Sequence, residues 1–381
     1  MFAALNFFFA RQGISPTYGA LWTWGTNDTG QLGLGNLTPY SSPKQVGSLT
    51  TWASLAAAGS GNMVLAVKDN NTLWSWGANY WGNLGLGTSG AGTYKSSPTQ
   101  VGALTNWAKN NSSIIVFNNN CFATKTDGTL WSWGQGGSQG ILGLGNLTAY
   151  SSPKQVGALT NWGLVGQTGS SGAGVKTDGT LWTWGYNAGG ALGLGNITSY
   201  SSPKQVGSLT TWASINCTYS NMLALKTDGT LWTWGVGSYG ELGLGNTTSY
   251  SSPKQIGSLT TWINLSAGMY SALAVSTTNA LWVWGRNNNG QLGLGNITNY
   301  SSPKQVGSLT NWLKGSGGSN SGSATHFIKT NNGLWFLGGL NDTGTGGLGN
   351  ITNYSSPKQV GSLATWLTSR DGSGFSIGIK Y

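Results

Sequence analysis

The 381-residue sequence predicts an all-β fold: a seven-bladed β-propeller of four-stranded blades, its ring closed by pairing of the N- and C-terminal strands. Three observations predict it. The motif LWxWG begins at Leu21, Leu73, Leu130, Leu181, Leu231 and Leu281 and degrades to LWFLG at Leu334, which makes seven copies spaced 50 to 57 residues apart. Each copy holds four short strand-like runs, and no window sustains the period of an amphipathic helix. The last residues, FSIGIKY, reproduce the apolar run that elsewhere precedes LWxWG, and the first copy lacks that run. A linear stack has no reason to divide one unit between its termini. A ring gains strand hydrogen bonds there and loses an exposed edge.

Taken from the N-terminus, residues 1–17 fall outside the repeat, and the propeller is expected over 18–381. The first stretch, MFAALNFFFARQGISPT, lacks the basic start and cleavage site of an export signal. It is also shorter than the ~20 apolar residues of a spanning helix. Its Phe2, Phe7, Phe8 and Phe9 make it a candidate anchor that docks on a neighbouring virion or surface protein, with folding back under the propeller as the alternative.

Within a copy, LWTWG alternates with period two, so its tryptophans are expected to fill the wedge between blades while glycines let the backbone turn tightly. Each indole would bury ~200 Å², about 5 kcal/mol as an upper bound. SSPKQVG and TWASL are short strands, and LALKTDG is an apolar run closed by an Asp-Gly turn. Strand direction alternates. The loops after WG and after TWxxx therefore leave on one face, and the VGSLT and TDG turns on the other.

Comparison of the copies shows variation crowded onto the first face. The large side chains there, Tyr80, Trp81, Tyr186, Tyr239 and Arg286, are the candidate binding residues, joined by the variable segments 109–120 and 217–221. Unrestrained drift of duplicated loops is the competing reading. A second constellation is Lys44, Lys95, Lys154, Lys204, Lys254, Lys304 and Lys358, a candidate basic ring for an acidic polysaccharide, nucleic acid or an acidic protein. Its plainer reading is a lysine that keeps an edge strand from pairing with another chain.

Composition narrows the chemistry. Charged residues make up only 7% of the chain and the net charge is +10, yet no basic run is interleaved with aromatics, which argues against nucleic acid. One histidine, one glutamate and seven aspartates offer no acid/base pair, triad or metal cluster, so no enzyme activity, metal or cofactor is expected. Asp127, Asp178 and Asp228 read as hairpin-turn residues. So do Asn36, Asn146, Asn196, Asn246, Asn296 and Asn350, although each begins an Asn-X-Ser/Thr triplet. Cys121 and Cys217 are expected to be buried thiols.

The pattern LWxWGxNxxGQLGLGN, SSPKQVGSLT, LALKTDGTLW resembles the repeat of the regulator of chromosome condensation family over nearly the whole chain. The resemblance implies a seven-bladed propeller. It leaves function open, since relatives of this kind include an exchange factor for a small nuclear GTPase, a β-lactamase inhibitor, and modules of bacterial surface and phage virion proteins. Met63, Asn221 and Ser271 stand where that family often has a histidine, and His326 is out of that register, so no exchange-factor residue carries over. Low charge, near-identical copies and the unremarkable N-terminus favour a non-enzymatic virion component, such as a tail fibre, adhesion or capsid-decoration protein. It would be displayed on a virion or extracellular surface and meet a host-surface glycan or protein. The alternative is a soluble protein-binding inhibitor or regulator.

Overall fold

The computed structural model describes residues 18–57, 62–110, 112–137, 139–316, 325–362, 365–372 and 374–381, so the proposed anchor with Phe2, Phe7, Phe8 and Phe9 lies outside the described residues. These residues form seven antiparallel sheets of four strands. Blade 1 draws on both termini: Ala20–Gly25 lies between Tyr40–Gln45 and Phe375–Lys380, and Trp366–Asp371 completes the sheet. Leu21 sits opposite Ile379 and Gly25 opposite Phe375. The closure read from the divided repeat is therefore present. Blades 2 to 7 occupy residues 52–100, 114–155, 162–205, 212–255, 262–305 and 312–359.

Each blade runs from axis to rim in one order: the TWxxx strand, the apolar run, the LWxWG strand and the SSPKQ strand. The TWxxx strands of neighbouring blades touch one another around the axis. The SSPKQ strand is a half-exposed edge, where a proline costs no ladder hydrogen bond, as in Tyr200–Gln205.

Tryptophan and glycine form one joint between blades. The second tryptophan of the motif is fully buried at Trp24, Trp76, Trp133, Trp184, Trp234 and Trp284. Its indole N–H donates to a loop carbonyl of the preceding blade: Trp76 to Gln31 (3.0 Å), Trp184 to Ile141 (2.7 Å), Trp234 to Ala191 (2.9 Å). Gly193, at φ +70°, roofs this contact, and a Cβ there would stand 2.7 Å from Trp234 Nε1. In the seventh copy a buried Leu337 takes the tryptophan's place. The same loops then strap forward onto the next SSPKQ strand. Gly35 N donates to Ser96 O (2.7 Å), Gly195 N to Ser251 O (2.8 Å), and Gly349 N returns to Ser41 O of blade 1 (3.0 Å).

One expectation needs correcting. The first tryptophan of the motif does not fill the wedge but is half-buried, as at Trp74, Trp131, Trp182 and Trp232. It stands at the end of its strand beside the TDG hairpin, where its N–H reaches a hydroxyl, Trp74 Nε1 donating to Thr72 Oγ1 at 2.8 Å.

Candidate functional site

On the loop face, the inner hairpins of blades 3 to 6 link into an arc. Gly169 N donates to Tyr219 O (2.9 Å) and Tyr219 N to Met269 O (2.9 Å), while Asn118 Nδ2 donates to Gly169 O (3.1 Å). A Cβ on Gly169 would meet the Tyr219 ring at 2.8 Å, so the glycine lets that ring lie across blade 4. Tyr219 thereby reaches Phe117 of blade 3, with ring centroids 6.4 Å apart. In the other direction Tyr219 meets Tyr270 at 5.8 Å, and Tyr270 meets Tyr239 at 5.2 Å. The Arg286 guanidinium closes the series, 5.1 Å from the Tyr239 ring and 5.6 Å from Tyr270. Such contacts are worth ~0.5–1 kcal/mol each at exposed sites, enough to hold an arginine in one orientation.

The arc has a buried support. Glu241 Oε2 accepts the Tyr239 N–H at 2.6 Å. Burial pushes the Glu241 carboxyl above its ordinary pKa. Desolvation likewise raises the Tyr270 phenol, keeping its hydroxyl protonated at neutral pH. Tyr219 and Tyr239 are each 37% exposed, and Arg286 is half-buried with its Nε unpaired among the described residues. The assembly offers stacking surface, phenolic donors and one oriented cation.

Of the residues expected to bind, the structure brings Tyr239 and Arg286 together. Tyr80 and Trp81 are exposed on blade 2, where Tyr80 packs against Tyr94 at 5.0 Å and its hydrogen bond pushes the Tyr94 phenol up to about 12. Tyr186 is exposed and makes no ring contact among the described residues. Phe117 and Tyr219 lie inside the segments flagged as variable. Tyr270 was missed; it stands in the register of Ser220, while Met269 holds the register of Tyr219.

The rim lysines do not converge. Lys44, Lys154, Lys204, Lys254, Lys304 and Lys358 each sit 5.3 to 5.6 Å from the tyrosine ring of their own outer strand, and Lys95 is exposed where that tyrosine would be. Each stands on the outer strand of its own blade, a placement that suits protection of an edge.

The turn face holds an arrangement that the sequence reading passed over. The lysine before each TDG hairpin lies between two indoles: Lys68 Nζ is 3.6 Å from the Trp74 ring and 4.9 Å from Trp52, and Lys226 is 3.7 Å from Trp232 and 5.0 Å from Trp212. Lys125, Lys176 and Lys329 repeat this, and Lys380 sits over Trp22 and Trp366 in the closing blade. The aspartates are turn residues, Asp127, Asp178 and Asp228 each accepting from the Thr two positions on. Asn36 and its counterparts likewise accept the N–H of the Thr two positions on.

A buried acid/base pair does exist, contrary to expectation. His326 Nδ1 is 2.7 Å from Asp371 Oδ1, and Ser376 Oγ donates to that same oxygen at 2.8 Å. The serine bonds the carboxylate rather than the imidazole, and all three side chains are sealed from solvent, so the trio ties blade 7 to blade 1 and does not form a nucleophilic triad. Cys121 and Cys217 are buried thiols, and desolvation raises both pKa values.

A family model described as the regulator of chromosome condensation (RCC1) repeat matches residues 18–66, 178–225, 228–275 and 279–324, together about half the chain. A second model of the same description matches 212–241 and 262–291. The Protein RCC2 homolog of Danio rerio is 42% identical over 74 residues, 19% of this chain and 15% of that protein. The RCC1 domain-containing protein RUG3, mitochondrial, of Arabidopsis thaliana is 32% identical over 176 residues, 44% of this chain and 38% of that protein. The chain thus spans well under two thirds of the length of these curated relatives. Among solved structures, Prp20p from Saccharomyces cerevisiae superposes with a TM-score of 0.81 at 19% identity, covering 97% of this chain and 93% of that one. That likeness is one of fold.

Proposed function

This chain belongs to the regulator of chromosome condensation (RCC1) repeat family, and from that premise we propose that it binds a protein partner through its loop face and performs no chemistry of its own. The observation that carries this reading is the arc of Phe117, Tyr219, Tyr270, Tyr239 and Arg286, assembled from blades 3, 5 and 6 on the face where the copies diverge. Rigid aromatics around an oriented arginine are what protein-binding hot spots are made of. Arg286 favours a carboxylate on the partner.

The relatives support the soluble-regulator reading over the virion-component reading: they are a eukaryotic RCC2 homolog and a plant mitochondrial protein, and Prp20p is described as binding Gsp1p and histones. The test is a panel of purified small GTPases and core histones presented to wild type, Tyr239→Ala, Arg286→Ala and Lys226→Met. A partner bound by wild type should lose at least about tenfold in affinity with either loop-face change, roughly the hot-spot scale, and keep it with Lys226→Met. Binding that survives both loop-face changes and fails with Lys226→Met would place the contact on the wrong side of the disc.

A further inference from the structure

Blade 6 breaks the turn-face rule that the other six blades keep. In blade 5, Lys226 pairs across the sheet with Trp212 and lays its ammonium between Trp212 and Trp232. The residue in that register in blade 6 is Ser276, opposite Trp262. Its hydroxyl shares a 2.8 Å hydrogen bond with Thr278 and is too short to reach over the rings. The two indoles nevertheless keep the arrangement. Trp262 and Trp282 have centroids 6.1 Å apart at 84°, against 6.2 Å and 79° for Trp212 and Trp232.

Other local changes run the same way. Trp232 Nε1 donates to Thr230 Oγ1 at 2.8 Å, whereas blade 6 has Ala280 there and Trp282 Nε1 has no hydroxyl to meet. Thr278 stands where blade 5 has Asp228, so attraction for a cation in blade 6 comes from the indole rings without the carboxylate that assists Lys226. Thr277 and Thr278 are exposed and Trp282 is half-buried while Trp262 is buried, so a cation would approach from the turn face over the Trp282 ring. The rim lysines of blades 5 and 6 lie over the tyrosines of their own outer strands, Lys254 over Tyr250 and Lys304 over Tyr300.

We propose that the Trp262–Trp282 pair of blade 6 is a binding site for an alkylammonium group supplied in trans, either the head of a lysine side chain or a methylated ammonium. The chain demonstrates the chemistry six times with its own lysines, and blade 6 presents the same rings without one. A cation over an indole changes affinity about two- to thirty-fold, so a free ammonium binds only at tens to hundreds of millimolar and the site serves as one anchor within a larger contact. This site is independent of the loop-face reading.

The test uses the full chain with ¹⁵N-labelled indoles, titrated with tetramethylammonium chloride and with n-butylammonium chloride against sodium chloride at equal ionic strength. Saturable shifts are expected at the Trp262 and Trp282 indole N–H signals, and the tighter probe identifies a methylated or a lysine-type source. Ser276→Lys should abolish them by filling the site in cis, a change that six sibling blades already accommodate. Lys226→Ser should create the same response at Trp212 and Trp232. Shifts no larger than with sodium chloride, shifts spread over the indoles of all blades, or a response retained in Ser276→Lys would overturn the assignment.

Discussion

The two faces of the disc come from the same seven copies, yet the turn face repeats one solution in six of the seven blades while the loop face varies from blade to blade. The difference lies in how much of each segment the fold uses. On the turn face every residue of the hairpin has a duty: Asp228 fixes Thr230, Thr230 fixes Trp232, and Trp232 with Trp212 holds Lys226. On the loop face a single asparagine carries most of the load. Asn187 accepts from Leu192 N (2.8 Å) and donates to Asn196 O and Thr198 O (3.0 Å each), so its neighbour Tyr186 is left exposed and without a ring contact among the described residues. Positions released from folding are the ones a binding surface can use.

The comparison breaks first if closure is not what holds both faces in place. Ending the chain at residue 374 removes the strand that joins Leu21 to Ile379, and it should abolish cooperative thermal unfolding by circular dichroism; a retained sharp transition would contradict the ring. Next in size is Trp234→Ala, which empties the joint beneath Gly193 and orphans the Ala191 carbonyl. It should cost ~3–5 kcal/mol in urea melts, whereas the exposed Trp81→Ala should stay within about 0.5 kcal/mol.

Lys226→Met sharpens the contrast at smaller scale. Losing the ammonium from its two indoles should cost about 1 kcal/mol, and Tyr239→Ala, which gives up ring contacts with Tyr270 and Arg286, should cost no more than that while its larger effect falls on binding. The smallest effect is electrostatic. Burial raises the folded-state pKa of Glu241 above its unfolded value, so stability is full at low pH and declines as pH rises from the unfolded value through the folded one. Glu241→Gln should remove that decline, giving a small gain in urea midpoint at pH 7 that disappears at pH 4. Blades 1 and 6 already carry glutamine there, Gln31 Oε1 accepting from Thr29 N at 2.9 Å and Gln291 Oε1 from Asn289 N at 3.0 Å.

Much of this was legible in the sequence because repetition turns one chain into its own alignment. The unit divided between the two termini pointed to closure, and strand parity pointed to the face on which variation collects. The aromatic arc was only half legible: Phe117 and Tyr219 meet across a whole blade, and that contact depends on the missing Cβ of Gly169. The Lys–Trp–Trp sandwich was in view as a recurrent lysine before TDG, but period-two reading assigns both motif tryptophans to the core and leaves the lysine nothing to do. His326 and Asp371, 45 residues apart on adjacent blades, carried no local signal.

Amide hydrogen exchange of the full chain, with and without a partner retained from the purified panel, tests the division of labour most directly. The account predicts slowed exchange on binding at residues 117–119, 168–170, 218–220, 238–241 and 268–270, with the hairpins at 126–128, 177–179 and 227–229 unchanged. Slowing confined to those hairpins, with the loop face untouched, would contradict it.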